Sequence, residues 1–169
     1  MHNINLLIAN SNNRVTNLIY SLVRAVGGEN ASVHCCTAAR VDDFLAQAVR
    51  DNFDLIIINP EDLCAALERR RRNICINQAA DAIRSIKTLK AAPIICVAVS
   101  PENELLLSEA GADLVLGLPF NCEDLKSAVG RLLIVPDEQV EATAVKQSFA
   151  SSFLRGWERL TESFSGSKP

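Results

Sequence analysis

The stretch that most limits how this chain can fold is Asp54-Leu-Ile-Ile-Ile-Asn-Pro-Glu-Asp62. Leu55 to Ile58 is an unbroken aliphatic run, too short for a helix and bounded by polar residues and a proline. A strand with one wet face alternates apolar with polar residues, so an unbroken run marks a strand covered on both faces, as in a parallel sheet between layers of helix. The run ends at Asn59. In an open α/β sheet, binding and reacting groups stand just outside the carboxyl ends of the strands, and here that place holds an amide. Asn59-Pro60-Glu61-Asp62 also has the order of a helix start: a capping amide, proline at the first helical position, and two acids that suit the helix dipole. Capping and the loss of a catalytic role at Asn59 are compatible.

The rest of the chain alternates in the same way. Ile4 to Ala9 predicts a strand that gives way, at the cap-forming cluster Asn10-Ser11-Asn12-Asn13, to a helix carrying Val15, Leu18, Ile19, Leu22, Val23 and Val26 and stopped by Gly27-Gly28. Ser32 to Cys36 is a second strand, and Val41, Phe44, Leu45, Ala48 and Val49 line a helix. After Asn59 a helix is expected to run to about Arg72, with Asn73-Ile-Cys-Ile-Asn77 interrupting the pattern before a further helix over Ala80, Ile83, Ile86 and Lys90: a bent or split element. Pro93 to Val99 is the fourth strand, Glu102 to Ala110 a short helix, Asp113 to Gly117 the fifth strand, and Asp124 to Leu133 a helix beginning after Asn121. Five strands alternating with helices specify an α/β fold, a doubly wound parallel sheet with right-handed crossovers.

Residues 1–135 form this unit, and Pro136 ends it. Beyond, Ala142, Val145, Phe149, Phe153, Trp157, Leu160 and Phe164 recur every three or four residues. They predict an extra C-terminal amphipathic helix over 136–164, about 40 Å long across Glu138 to Phe164. That length favours docking on a partner or a second copy over packing back on its own domain, and 165–169 reads as a frayed tail.

With 49% hydrophobic and 22% charged residues, the chain is globular in composition. A net charge of −3 argues against a general nucleic-acid binder, and no stretch approaches a membrane span or reads as a signal peptide, so a cytoplasmic protein is expected. Arg69, Arg70, Arg71 and Arg72 stand against this acidic background as a solvated face or a patch for an acidic partner. Cys35, Cys36, Cys64, Cys75, Cys96 and Cys122 show no metal-binding spacing. They read as small buried hydrophobes in a reducing compartment, with metal or redox chemistry as the other possibility.

Glu109-Ala-Gly-Ala-Asp113, the strand that follows, Leu118-Pro-Phe120 and Glu123-Asp-Leu125 resemble the receiver domain of two-component response regulators, and the likeness extends over about residues 4 to 133. The resemblance implies a flavodoxin-like sheet in the order 2-1-3-4-5. It also implies a phosphoacceptor aspartate at the end of the third strand, an acidic pair after the first strand that holds magnesium, a hydroxyl after the fourth, a lysine after the fifth and an aromatic switch residue. Here the acceptor position is Asn59, the acidic pair is Asn10 and Ser11, the lysine is Leu118, the switch position is Val115, and only the hydroxyl is kept, as Ser100. An amide is no nucleophile toward a phosphoryl group, and magnesium wants carboxylate oxygens. A lysine without acids would be an unpaired, partly buried charge that Leu118 avoids. The expectation is a pseudo-receiver with a neutral mouth, no metal, no cofactor and no enzymatic activity.

The function expected is a phosphorylation-independent adaptor that binds itself, as a homodimer, or a signalling protein. Its surfaces would be the side formed by the fourth and fifth helices of the resemblance, the fifth strand and the C-terminal stripe, with no direct contact to nucleic acid or membrane. The alternative is a small-ligand sensor in which Asn10 to Asn13 and Thr16 hold an anion or a flavin phosphate at a helix start. A hydrolase has less support: Ser100-Pro101 lacks the Gly-x-Ser-x-Gly elbow, neither His2 nor His34 is placed to activate Ser100, and Ser100 suits a helix cap.

Overall fold

The computed structural model describes residues 2–133, so the expected C-terminal helix, with Val145, Phe149, Phe153, Trp157, Leu160 and Phe164, and the tail lie outside the described residues. The elements run β1 (His2–Ala9), α1 (Asn13–Gly27), β2 (Ala31–Ala38), α2 (Val41–Arg50), β3 (Leu55–Ile58), α3 (Pro60–Leu63), α4 (Arg69–Leu89), β4 (Ile94–Ala98), α5 (Pro101–Glu109), β5 (Leu114–Gly117) and α6 (Cys122–Leu132). The strands form one parallel sheet in the order β2-β1-β3-β4-β5, as expected.

The period of two along each strand divides the core into two layers. Leu55 and Ile57 of β3, with Ile4, Leu6 and Ile8 of β1 and Ile95 and Val97 of β4, pack under α1 and α6 against Val15, Ile19, Leu22, Val23, Leu125 and Val129. Ile56 and Ile58, with Leu7, Ala9, Ile94, Cys96 and Ala98, pack on the other face against Phe44 and Ala48 of α2, Ala79, Ala80, Ile83 and Ile86 of α4, and Leu107 of α5. The unbroken run in β3 is thus the register of a strand with no wet face. Gly28 stops α1 at φ +80°, a left-handed value that side chains with a Cβ rarely adopt.

The connection between β3 and β4 differs from expectation. The helix that begins at Pro60 ends at Leu63, and α4 runs through Asn73–Asn77 without interruption, so the break falls at Cys64–Glu68. Asn73 and Asn77 sit on the solvent side of α4, the Asn77 side chain bonding back to the Asn73 carbonyl, while Ile76 faces the core in phase with Ala79, Ala80 and Ile83. The turn is held where the sequence shows no breaker: the Arg72 guanidinium donates to the carbonyls of Ala65 (3.0 Å) and Leu67 (3.3 Å).

The cysteines also differ. Cys64 and Cys75 form a disulfide, with Cα atoms 6.1 Å apart, because the turn brings the start of α4 back past the end of α3. Cys96 and Cys122 are buried free thiols as expected, whereas Cys35 and Cys36 are only half-buried, packing toward opposite faces of edge strand β2.

Candidate functional site: the carboxyl edge of the sheet

The loops that follow β1, β3 and β4 meet at the carboxyl edge of the sheet, and α3 joins them. Asn10, directly after β1, is 4% exposed. Its Oδ1 accepts from the Asn12 amide (3.1 Å), and its buried Nδ2 has no hydrogen-bond partner among the described residues. Asn12 caps α1, its Oδ1 accepting from the amides of Arg14 and Val15. Asn59 caps α3: its Oδ1 accepts from the Asp62 amide (3.2 Å), and its own amide donates to the Ala9 carbonyl (3.0 Å). The capping reading of Asn59 thus holds.

The expectation of a neutral mouth does not hold. Asp62, 8% exposed, turns its carboxylate to the β1–α1 loop. Its Oδ2 accepts from the Ser11 amide (2.6 Å), the Ser11 hydroxyl (2.8 Å) and the Asn12 amide (3.2 Å). A buried carboxylate is tolerated when charge-assisted hydrogen bonds replace its water, and these donors stand at the start of α1, where the dipole favours an anion. Anionic charge has therefore not left the mouth; α3 supplies it. The neighbouring Glu61 extends the same device: its Oε1 accepts from the Val99 amide (2.8 Å) and the Asn103 side chain (2.7 Å), tying α3 to the β4–α5 loop and the first turn of α5.

Glu61, Asp62 and Asn103 are the residues that sequence reasoning missed. The signal was present as acids at the second and third positions of a helix start, a pattern explained sufficiently by the helix dipole. An acid in that third position commonly reaches back to its own cap, as Asp124 does to Asn121, whereas Asp62 reaches across to another loop. Only the docking of α3 distinguishes the two.

Ser100 lies two residues beyond β4, and its hydroxyl accepts from the Asn103 amide (3.3 Å) as the cap of α5. Leu118 follows β5, packs against the α1/α6 layer, and precedes Pro119 through a cis bond; its amide donates to the Ala98 carbonyl. Val115 packs from within β5 against the opposite layer. The Glu104 side chain lies directly over Gly117, where any Cβ would collide with its carboxylate. Arg69 to Arg72 are exposed at the start of α4, a helix with no acid in its first turn.

Burial pushes the Cys35 and Cys122 thiols up to about 11 and Cys96 higher still, aided by the neighbouring Cys36, Glu123 and Asp113 respectively, so these are not activated nucleophiles. Among the described residues no group of three His, Cys, Asp or Glu side chains could hold a metal ion, and no helix is long and apolar enough to cross a membrane.

No protein-family model matches the sequence, and no curated relative does. Solved structures do. The receiver domain of sensor histidine kinase PA1611 from Pseudomonas aeruginosa PAO1, solved with magnesium in its active-site cleft, is 18% identical with a TM-score of 0.57, over 78% of this chain and 98% of that one. A CheY-like response regulator receiver domain protein from Methanospirillum hungatei JF-1 is 20% identical with a TM-score of 0.57, over 77% and 93%. The receiver domain of Francisella response regulator 1452 is 19% identical with a TM-score of 0.57, over 77% and 96%. With the strand order, these likenesses establish the architecture: the described part of the chain has the receiver-domain fold.

Proposed function

We propose that the chain is a response-regulator-like signalling adaptor that works without phosphorylation, through protein–protein contacts, in the cytoplasm. The observation that carries this reading is the state of the acceptor position. Asn59 has no carboxylate to accept a phosphoryl group, and its side-chain oxygen is spent on the α3 cap. Beside it the Asp62 carboxylate already occupies the donors of the β1–α1 loop. Neither Asn10, Ser11 nor Leu118 supplies the charges that a metal and a phosphate need.

Contacts are proposed on the side formed by α5, β5 and α6. There Leu105 is 62% exposed, and every residue of β5 is half-buried. Trp157 and its apolar neighbours, with Arg69 to Arg72, are the further proposed contacts, and a homodimer is the expected assembly. Incubation with acetyl phosphate and magnesium, read by intact mass, is expected to leave the chain unmodified. A mass gain of one phosphoryl group on folded protein would refute the reading. The small-anion alternative is disfavoured because the amides it would use are already bonded to Asp62. A flavin absorbance in the purified protein would restore it.

A further inference from the structure

The disulfide lies beside the mouth and has no part in the reading above. Cys64 is fully buried and caps the end of α3, two residues after Asp62; Cys75 stands in the second turn of α4 and is partly exposed. We propose that Cys64–Cys75 is a thiol–disulfide switch, open to a dithiol reductant, that latches the Asp62 carboxylate into the mouth of the sheet.

α3 is a single turn of four residues, and a lone helical turn is unfavourable by itself because few hydrogen bonds repay the ordering. It is docked by Asn59, Glu61 and Asp62 on its entry side; on its exit side the covalent anchor is the bond to α4, whose Ile76, next to Cys75, is buried. The start of α4 resists order for a separate reason. Arg69 to Arg72 crowd four positive charges onto the positive end of the helix dipole; the first turn holds no acid, and Glu68 at the N-cap makes no side-chain capping bond. The disulfide arrests that end one turn in. With the bond cut, the segment 64–68 keeps only the exposed Arg72 bonds to Ala65 and Leu67, which go as the first turn of α4 unwinds more readily, and α3 then releases Asp62 from Ser11 and Asn12.

The exchange is balanced. A thiolate of the reductant attacks the partly exposed Cys75 sulfur, the S–S bond breaks, and its electron pair leaves on the Cys64 sulfur, which takes a proton. The reductant's second thiolate then displaces the Cys75 sulfur, leaving two protein thiols and an oxidised reductant, two electrons having passed. The raised pKa of Cys35, Cys96 and Cys122 keeps these thiols from competing as nucleophiles. In the cytoplasmic setting proposed above, on which this inference rests for its reductant, disulfides are rare and those present are commonly transient and redox-sensing.

The test compares hydrogen exchange of the full chain, purified without reductant, before and after dithiothreitol. Free thiols counted in denaturant should rise from four to six. The amides of Ser11 and Asn12 and those of 61–72 should exchange faster by up to about 100-fold, the loop-closure effect for cysteines this close in sequence, while β3 and β4 stay protected. Cys75→Ser should match the reduced protein and ignore dithiothreitol. Asp62→Ala should expose the Ser11 and Asn12 amides in both redox states. Six thiols in the protein as purified, unchanged exchange at Ser11 and Asn12 on reduction, or opening spread evenly over the sheet would each overturn the switch. All are read on the isolated chain, so such a failure leaves the phosphorylation-independent reading standing, and phosphorylation of the chain leaves the switch standing.

Discussion

At the residue scale, the mouth of the sheet depends on Asp62 more than on Asn59. Asp62→Ala removes an acceptor shared by three donors, two of them backbone amides. The expected loss is about 1–3 kcal/mol, seen as a lower urea midpoint at unchanged slope. Asn59→Asp tests the acceptor position from the other direction. It places a second carboxylate near Asp62 without supplying a metal pair or a cation, so stability should fall and acetyl phosphate with magnesium should still add no mass. The thiols give a pH dependence. Cys35 and Cys122 hold their protons to about pH 11 in the folded chain against 9.0 for the ordinary thiol. Between those values the unfolded chain has released protons that the folded chain retains, so stability must fall as pH rises through that window. Below it the native thiols carry about 100-fold less thiolate than ordinary ones, and alkylation near pH 7.5 should be slowed accordingly. Alkylation of Cys122 in native protein at the rate of a free thiol would contradict this.

At the element scale, β3 and the β3–β4 connection show what a sequence can and cannot disclose. Leu55 to Ile58 is legible because burial on both faces leaves a direct imprint on composition. Ile57→Ala should cost about 2–5 kcal/mol in denaturant unfolding, since the cavity opens in the layer under α1 and α6. The break between α3 and α4 was not legible, because no glycine or proline stands at 64–68. Its cause is the Arg72 side chain, which takes carbonyls that a continuing helix would have used, together with the bond from Cys64 to Cys75. The pattern misled at Asn73–Asn77 because two exposed amides, one on each side of a core isoleucine, resemble an interruption when read along a line. Arg72→Ala should raise exchange at 65–72 and lower global stability by less than about 1 kcal/mol, its guanidinium bonds being exposed.

At the scale of the whole molecule, the sheet supplies a rigid platform whose α5–β5–α6 side is the proposed contact surface. Leu105→Arg, at an exposed position, should leave unfolding unchanged while weakening self-association in size-exclusion chromatography with light scattering; a full chain that is monomeric before the substitution would remove this surface from consideration as a dimer contact. Strand number, the parallel sheet and its two helical layers were legible in the periodicity, since each strand carries its burial pattern in its own residues, whereas the order 2-1-3-4-5 came from the receiver-like motifs and not from the pattern. The helix starts at Asn12, Asn59, Ser100 and Asn121 were likewise local, because a cap bonds within three residues of itself. What only the tertiary structure decided are the bonds between residues distant in sequence. Asp62 bonds to Ser11 51 positions away, Glu61 to Asn103 42 away, and Cys64 pairs with Cys75 across a turn. Short-range patterns record which face of an element is buried, but a carboxylate shows the same letter whether water or another loop receives it, and only the packing of α3 against the sheet's edge settles which.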